Sequence, residues 1–173
     1  MASSSAVPTE LTTDRLVLRP WCLSEVAAVI DSTRSSEWAD DFPAEGDRVI
    51  AGLFAPNPGW LDEPHGQRLI IERESGLVVG SIGLFWPPSE GTLEIGYGIV
   101  ASRRGRGYAP EAARAFADFA LTAPGVHTVF ATVERSNPAS IRVLEKAGFH
   151  RWGAEGEEAD TLSFRMTKAP HRD

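Results

Sequence analysis

Short runs of apolar residues, separated by turn-forming residues, recur along this chain and predict seven β-strands. Aliphatic and β-branched runs that are bounded by Gly, Pro, Asn or Asp are typical of strands. The runs cover residues 16–20, 68–72, 77–84, 92–100, 126–133, 151–154 and 161–166. Glu74, Ser75 and Gly76 lie between the second and third runs and form the signal for a hairpin turn.

Four other segments have the spacing or the end signals of helices. They cover residues 25–30, 47–54, 110–123 and 138–147. Pro110 and Glu111 suit a first helical turn, while Asn137 suits the cap of the fourth helix and Gly148 its end. The order β-α-α-β-β-β-α-β-α-β-β predicts an α/β fold of the mixed α+β kind. We expect a central, mostly antiparallel mixed sheet of about six to seven strands, with helices on both faces.

Length and composition predict a single globular domain. The chain has 173 residues, of which 42% are hydrophobic and 24% charged, as is ordinary for such a domain. No internal repeat or linker divides it, so we expect a folded domain over residues 11–168 and flexible tails over residues 1–10 and 169–173. Cys22 is the single cysteine, which excludes an internal disulfide. The four histidines show no ligand spacing, and we expect no metal site.

The charge balance narrows the range of partners. A formal net charge of -7 disfavours nucleic acid, which requires a broad basic surface, and is compatible with cationic substrates. No run approaches the roughly 20 apolar residues of a membrane-spanning helix. The first residues lack the basic and apolar regions of a secretory signal. We therefore expect a cytoplasmic protein that binds neither nucleic acid nor a membrane.

One local feature opposes the negative overall charge: a loop rich in arginine and glycine, between a predicted strand and a predicted helix. After Arg103 it contains Arg104, Gly105, Arg106, Gly107, Tyr108 and Ala109. A loop of this kind at a helix start presents free backbone N–H groups and the positive end of the helix dipole. It predicts a site for an anionic group such as a pyrophosphate. The alternative is a tight strand-to-helix turn without a ligand.

Two well-known phosphate-binding motifs do not fit this loop. A dinucleotide-binding fingerprint requires glycine three residues after Gly107, where Pro110 stands. A P-loop requires a Gly-Lys pair followed by Ser or Thr, and the chain contains no Gly-Lys pair. Further along the chain, Asn137 and Ser140 lie at the start of the fourth predicted helix.

Four motifs, in this order, resemble those of the GCN5-related N-acetyltransferase (GNAT) superfamily and, within it, of the RimJ/RimL type of ribosomal-protein N-terminal acetyltransferase. The motifs are residues 13–19, 94–97, 104–112 and 137–149. The resemblance spans roughly residues 11–167. It implies a GNAT fold, acetyl-CoA as acyl donor, and direct transfer of the acetyl group to a primary amine without a covalent enzyme intermediate or a metal.

The resemblance also implies which residues bind acetyl-CoA. In the family the donor lies where the strand before the loop diverges from the strand after the following helix. The backbone N–H groups of residues 104–109 are expected at its pyrophosphate. Main-chain groups of Ile99 and Val100 are expected along its pantetheine and thioester, where they would polarise the carbonyl. Asn137 is expected to hydrogen-bond the donor in addition to capping its helix.

The resemblance assigns two catalytic groups. Ser140 matches a serine that lies by the sulfur and protonates the departing thiolate. Glu94 matches a glutamate that acts as a base through water in the histone-acetylating relatives. Ribosomal-type relatives use a later glutamate instead, to which Glu157 and Glu158 lie nearest. The identity of the catalytic base therefore stays open between Glu94, Glu157 and Glu158.

The acceptor is indicated least directly. Trp38, Asp40 and Asp41 fall in the segment that shapes the acceptor cleft of relatives and would suit a cationic amine; the alternative is a solvated acidic loop. We expect a protein N-terminal α-amine or a small cationic amine as acceptor. A non-catalytic acyl-CoA-binding sensor or scaffold is the alternative from a different functional class. The resemblance allows both a monomer and a homodimer.

Overall fold

The fold is built on one eight-stranded sheet. The computed structural model describes residues 10–153 and 160–168, with strand order β1-β2-β3-β4-β5-β6-β8-β7. The strands are β1 (Leu11–Thr12), β2 (Leu16–Pro20), β3 (Gln67–Glu72), β4 (Val78–Leu84), β5 (Thr92–Ile99), β6 (Thr128–Glu134), β7 (His150–Trp152) and β8 (Thr161–Thr167). The helices are α1 (Leu23–Ile30), α2 (Glu45–Leu53), α3 (Tyr108–Ala120) and α4 (Pro138–Ala147). The predicted mixed α/β architecture is confirmed.

The strand count exceeds the predicted six to seven because of β1. This strand has only two residues, which pair with Val17 and Leu18 of β2. Alternation of apolar and polar residues cannot be recognised over two positions, so the sequence pattern gave no sign of it.

β5 and β6 form the parallel pair of the sheet, and they soon diverge. Their backbones pair only between residues 92–94 and 128–130. β5 then continues to Ile99 against β4, whereas β6 continues to Glu134 against β8. The far end of β5 therefore borders a gap in the sheet. Backbone groups along such a gap require partners other than a neighbouring strand.

Helices lie on both faces of the sheet, as predicted. Ser81 of β4 donates a hydrogen bond to Asp47 of α2, which places α2 on the face to which Ser81 points. Leu69 of β3 pairs with Ser81, so its neighbour Arg68 points to the opposite face of the sheet. Its guanidinium lies 5.5 Å from the Phe116 ring of α3, so α3 covers that face. α1 packs against α2, and α4 against α3.

The buried core joins the central strands to α3. Its largest fully buried side chains include Leu16, Leu18, Leu69, Ile70, Ile82, Leu84, Leu93 and Phe116. Because β5 and α3 both contribute to this core, their relative position is fixed. The loop that connects them is thereby held at both of its ends.

Three helix starts differ from the prediction. α1 starts at Leu23 rather than residue 25, because the Glu25 carboxylate accepts the N–H of Cys22 at 3.0 Å and closes the first turn. α3 starts at Tyr108 rather than Pro110, because Gly107 adopts a left-handed φ of 81° and takes the N-cap position. α2 starts at Glu45 rather than Asp47, because the Asp47 carboxylate accepts the N–H of Ala44 at 2.8 Å and closes the first turn. The predicted cap and end of α4 are confirmed.

Candidate active site

A cavity of about 490 Å³ opens where β5 and β6 diverge, between α3 and α4. We call it the loop–α4 cavity. Its lining consists of Tyr97, Gly98, Ile99, Arg103, Arg104, Gly105, Gly107, Tyr108, Ala109, Pro110, Asn137, Ala139, Ser140, Arg142, Val143 and Lys146. The fold thus brings together the arginine-glycine loop and the start of α4, which lie far apart in the sequence. A cavity of this volume is typical of small-molecule sites.

The loop presents unpaired backbone donors to this cavity. Gly105 and Gly107 have φ values of 79° and 81°, which glycine adopts without strain. The N–H groups of residues 105–109 have no acceptor within the described parts of the chain. The N–H of Arg104 instead donates to the Ala101 carbonyl at 3.3 Å, so the row of free donors begins one residue later than predicted. Such a row at a helix N-terminus is a site for an anion.

The arginines of the loop have different partners. Arg103 and Arg106 each lie 3.3 Å from the carboxylate of Glu72, which is 2% exposed. Arg106 does not line the cavity, whereas Arg103 and Arg104 do. The Arg104 Nε donates to the Ile99 carbonyl at 3.1 Å. The positive charge that faces the cavity is therefore smaller than the arginine count of the loop suggests.

The carboxylate of Glu72, the last residue of β3, anchors the loop. It also accepts hydrogen bonds from the Tyr108 hydroxyl at 2.8 Å and from Ser75 at 2.7 Å. Burial alone would raise the pKa of Glu72, but the hydrogen bonds from Ser75, Tyr108 and Arg103 outweigh it and hold the pKa below its usual value. An ionised, buried carboxylate thus fixes the loop to β3.

A second carboxylate fixes the first turn of α3. Glu111 accepts hydrogen bonds from the Thr13 hydroxyl at 2.6 Å and from the Arg15 Nε at 2.8 Å. Arg15 also donates to the Arg106 carbonyl at 2.6 Å. These contacts explain why the N-terminal motif accompanies the loop motif: the turn before β2 supports the loop.

The facing wall comes from α4. The Asn137 side-chain oxygen accepts the N–H of Ser140 at 3.2 Å, which confirms Asn137 as the helix cap. Ser140 is half-buried and lines the cavity. Arg142 and Lys146, one helical turn apart, also line it, and within the described residues neither has an ion-pair partner. The sequence analysis missed these two cations; their i, i+4 spacing on the Asn137 helix was the available signal.

The end of β5 contributes differently from the prediction. Ile99 lines the cavity, but its carbonyl is bonded to Arg104. Val100 is 1% exposed, does not line the cavity, and donates its N–H to the Val79 carbonyl at 2.9 Å. The Val100 N–H is thus paired with β4 and the Ile99 carbonyl with the Arg104 side chain. Tyr97 was not predicted and has a buried hydroxyl without a partner in the described residues; burial raises the pKa of Tyr97 to about 12.

Glu94 lies outside this cavity. It is half-buried in β5, and alternation along the strand places its side chain on the same face as Gly96 and Gly98. Gly98 is a lining residue of the cavity, so the face that carries Glu94 meets the cavity at that glycine. Gly98 lies four positions beyond Glu94 along the extended strand, which corresponds to about 13 Å.

The predicted acceptor residues are not gathered into a cleft. Trp38 is 4% exposed and packs edge-on against the Phe42 ring at 5.2 Å, which makes it a core residue. The Asp41 carboxylate accepts hydrogen bonds from the N–H and hydroxyl of Ser102, at 2.8 and 2.7 Å. Asp40 is exposed. The candidates Glu157 and Glu158 lie outside the described residues.

The described residues contain neither a metal-binding cluster nor a membrane-spanning helix. No cluster of three or more His, Cys, Asp or Glu side chains in residues 10–153 and 160–168 is placed to hold a metal ion. In the same ranges, the helices are too short and too polar to span a bilayer.

Known proteins resemble this chain over most of its length. A family model described as "Acetyltransferase (GNAT) domain" matches residues 15–150. The uncharacterized N-acetyltransferase YnaD of Bacillus subtilis is 27% identical over 149 residues, which are 83% of this chain and 84% of that protein. The crystal structure of an acetyltransferase from Agrobacterium tumefaciens is 27% identical with a TM-score of 0.67, and the match covers 97% of this chain and 99% of that one.

A more distant structure shows the same fold with ligands. Spermidine N-acetyltransferase from Vibrio cholerae, in complex with CoA and spermine, is 17% identical with a TM-score of 0.63, over 90% of this chain and 96% of that one. At this identity the likeness shows the fold alone. The family model, however, covers well over half of the sequence. This chain therefore belongs to the GNAT superfamily and is an N-acetyltransferase.

Proposed function

We propose that the chain transfers the acetyl group of acetyl-CoA to a primary amine, either a protein N-terminal α-amine or a small cationic amine. The observation that carries this proposal is the row of free N–H groups at residues 105–109, which opens into a cavity beside the gap between β5 and β6. Acetyl-CoA is the acyl donor of the GNAT family. The row of donors suits its pyrophosphate.

The other walls of the cavity suit the remaining parts of acetyl-CoA. Arg104, Arg142 and Lys146 line it in a protein of net charge -7, so its positive charge is local and complements the phosphates. The Tyr97 hydroxyl lacks a partner in the described residues and is available to a polar group of the ligand. Gly98 leaves open space at the strand, because a Cβ atom there would meet no atom within 4 Å. The pantetheine arm would lie along this bare backbone.

The acetyl group would pass directly to the amine. An ammonium ion first loses a proton, and the neutral nitrogen then attacks the thioester carbonyl carbon, so that a C–N bond forms and the C–S bond breaks. The nitrogen releases a second proton, while the thiolate takes up one to leave as a thiol. Holding the two reactants in line supplies much of the rate enhancement.

Two side chains are proposed for the proton transfers. Glu94 accepts the proton of the amine through water, the role that the family resemblance implies, from the face of β5 that meets the cavity at Gly98. Ser140 lies in the wall of the cavity and donates a proton to the thiolate. Glu157 and Glu158 are the alternative bases.

The RimJ/RimL type remains part of this proposal, since the motif at residues 94–97 and the loop motif support it. That type favours a protein N-terminus as acceptor. The spermidine N-acetyltransferase with the same fold supports a small amine instead. Of the predicted acceptor residues, Asp40 is the one whose side chain is both exposed and without a described partner, so a direct contact with the acceptor is proposed for it alone.

A panel of primary amines tests the proposal. The purified protein is incubated with acetyl-CoA and each amine, and both the free thiol and the mass of the N-acetylated product are measured. We expect thiol and acetylated product in equal amounts with at least one amine class. If acetyl-CoA binds but no amine in a broad panel is acetylated, the enzyme assignment fails and the non-catalytic acyl-CoA-binding role replaces it.

A further inference from the structure

The sheet surface around Glu94 carries side chains that the loop–α4 cavity does not use. Glu94, Gly96 and Gly98 occupy one face of β5, and neither glycine carries a side chain between the carboxylate and the cavity; we call this stretch the glycine track. A Cβ atom at Gly98 would meet no other atom within 4 Å. A molecule lying on this track would reach the cavity at Gly98.

Strand register places aromatic and charged side chains beside Glu94. Glu94 pairs with Phe130 of β6, and Phe130 pairs in turn with Arg165 of β8. Paired residues point to the same face, with about 4.8 Å between neighbouring strands. Trp152 of β7 is 40% exposed, and its ring centre lies 6.0 Å from that of Phe130. We call this set, with Glu94 itself, the Glu94 face.

A third aromatic ring borders the carboxylate on the other side. Phe85 follows β4 and is 38% exposed. A Cβ atom built on Gly96 would come within 3.7 Å of its ring, so the Phe85 ring lies beside the glycine track. Glu94 is therefore bounded by Phe130 on one side and, two residues further along β5, by Phe85. A carboxylate between aromatic rings matches a cationic amine that carries an apolar group.

The far end of the Glu94 face repels a second cation. The Arg165 guanidinium lies 5.5 Å from the centre of the Trp152 ring, so the face of this ring already has a cation–π partner. β6 also places the carboxylate of Glu134 on this face. Glu134 lies four residues beyond Phe130 along the strand, a distance of about 13 Å. When the amine of an acceptor points along the glycine track, the rest of the molecule lies over Phe130 and Trp152. An apolar group fits there, whereas a second ammonium group does not.

We infer that the acceptor is a primary amine with a single positive charge and an adjacent apolar or aromatic group, and that it lies on the Glu94 face. This inference rests on the proposed function and narrows its acceptor class. Phe130 and Trp152 determine the specificity by packing on the apolar group, and Arg165 excludes polyamines.

Three amines test this acceptor class with the full-length protein: phenethylamine, butylamine and spermidine. We expect kcat/KM for phenethylamine to exceed that for spermidine at least tenfold, with butylamine between them. If spermidine is the best of the three, the inference is overturned while the N-acetyltransferase function stands. If none of the amines of the broad panel is acetylated, both fail together.

Variants locate the preference on the Glu94 face. Phe130→Leu keeps apolar volume but removes the ring, and we expect it to lower kcat/KM for phenethylamine about tenfold while the KM for acetyl-CoA stays unchanged. Arg165→Glu is expected to lower the ratio of kcat/KM for phenethylamine to kcat/KM for spermidine at least tenfold. Leu23→Ala, at a 71% exposed residue of α1, is the matched apolar control, and Glu134→Gln is the charge control. Equal losses for all three amines in Phe130→Leu, or a spermidine-specific loss in Glu134→Gln, would overturn the inference.

Discussion

The loop–α4 cavity and the Glu94 face meet at Gly98 but are built in different ways. The anion-binding part of the cavity is formed by backbone: the free N–H groups at residues 105–109 lie in a glycine-rich turn at the start of α3. The Glu94 face is formed by side chains from β5, β6, β7 and β8 that strand pairing brings together. A backbone site depends on local sequence, whereas a side-chain surface depends on the register of distant strands.

This difference separates what the two regions are expected to do. The cavity is proposed to bind the part of acetyl-CoA that every reaction of the family shares, and its geometry requires particular residues, above all glycine at positive φ. The Glu94 face is proposed to contact the acceptor, and its side chains can change without disturbing the backbone of the loop. Variants in the two regions should therefore separate donor binding from turnover.

The largest expected effect comes from Glu94→Gln. Removal of the base should lower kcat with a good acceptor about 10²- to 10³-fold, because general-base catalysis contributes on this order. The equilibrium binding of acetyl-CoA, measured by calorimetry, should not change, since Glu94 does not line the cavity. Glu134→Gln, which neutralises a carboxylate that β6 contributes to that face, serves as the control. Unchanged turnover in Glu94→Gln would move the base to Glu157 or Glu158.

The next effect is expected from Gly105→Val. Gly105 has a φ of 79°, which a β-branched residue adopts only with strain, so the row of N–H groups should be displaced. We expect the affinity for acetyl-CoA to fall about 10²-fold, or by about 2.7 kcal/mol. Gly125→Val is the matched control, because Gly125 has a φ of 81°, lies outside the cavity and also has open space at its Cβ position. Similar losses of affinity in both variants would show that strain alone causes the effect.

A smaller, pH-dependent effect is expected from Glu72→Gln. The pKa of Glu72 in the folded protein lies below its usual value of 4.5, so the ionised group stabilises the fold above that pH and this stabilisation is lost as the pH falls. The variant should lose about 2 kcal/mol of unfolding free energy at pH 7 and less at pH 3.5. Chemical denaturation at both pH values measures this difference.

The same variant links the buried carboxylate to the donor site. Because Glu72 contacts Arg103, Arg106 and Tyr108, the KM for acetyl-CoA should rise about tenfold, with kcat nearly unchanged. Glu74→Gln, in the exposed turn after β3, is the control. An equal loss of stability at both pH values would contradict the assigned role of the Glu72 charge.

The smallest effect is expected from Arg142→Gln combined with Lys146→Gln. Both residues line the cavity and are exposed, so their attraction to the phosphates is screened by salt. The affinity for acetyl-CoA should fall about tenfold at low ionic strength, and the difference should shrink at 0.5 M salt. Arg114→Gln, an exposed cation of α3 outside the cavity, is the control. A loss that does not depend on salt would argue against a phosphate contact.

The fold and the donor side could be predicted from the sequence because their signals are local. The apolar runs gave seven of the eight strands, and Asn137 and Gly148 marked the ends of α4. The loop motif indicated free N–H groups because glycine spacing and a helix start suffice to expose them. The structure moved the start of that row from Arg104 to Gly105.

Other parts depend on contacts that no local pattern contains. The backbone N–H of Arg106 stays in the row of free donors, but its side chain pairs with the buried carboxylate of Glu72 and does not line the cavity. Val100 was expected at the thioester, but β5 remains bonded to β4 there. Trp38 was expected in the acceptor cleft, but an aromatic residue in an acidic segment has no local signal that tells burial from exposure. The Arg106 side chain and the Val100 N–H are held by residues distant in the sequence, and Trp38 is buried in the core by the tertiary fold.

The Glu94 face shows the same limit most clearly. Glu94 was recognised by its motif, yet Phe130, Trp152 and Arg165 are separated from it by dozens of residues and join it only through the β5–β6 and β6–β8 registers. A shift of one residue in either pairing would turn the partner to the opposite face. Residue types alone therefore could not identify this surface.

The central claim is that backbone N–H groups of the loop bind the donor while the Glu94 face binds the acceptor. Nuclear magnetic resonance of the isotope-labelled protein tests it most directly. Addition of CoA should give the largest amide shifts at residues 105–109, and subsequent addition of phenethylamine should shift the Phe130 and Trp152 ring signals without further change in the loop. CoA shifts centred elsewhere, or amine shifts centred on the loop, would contradict the account.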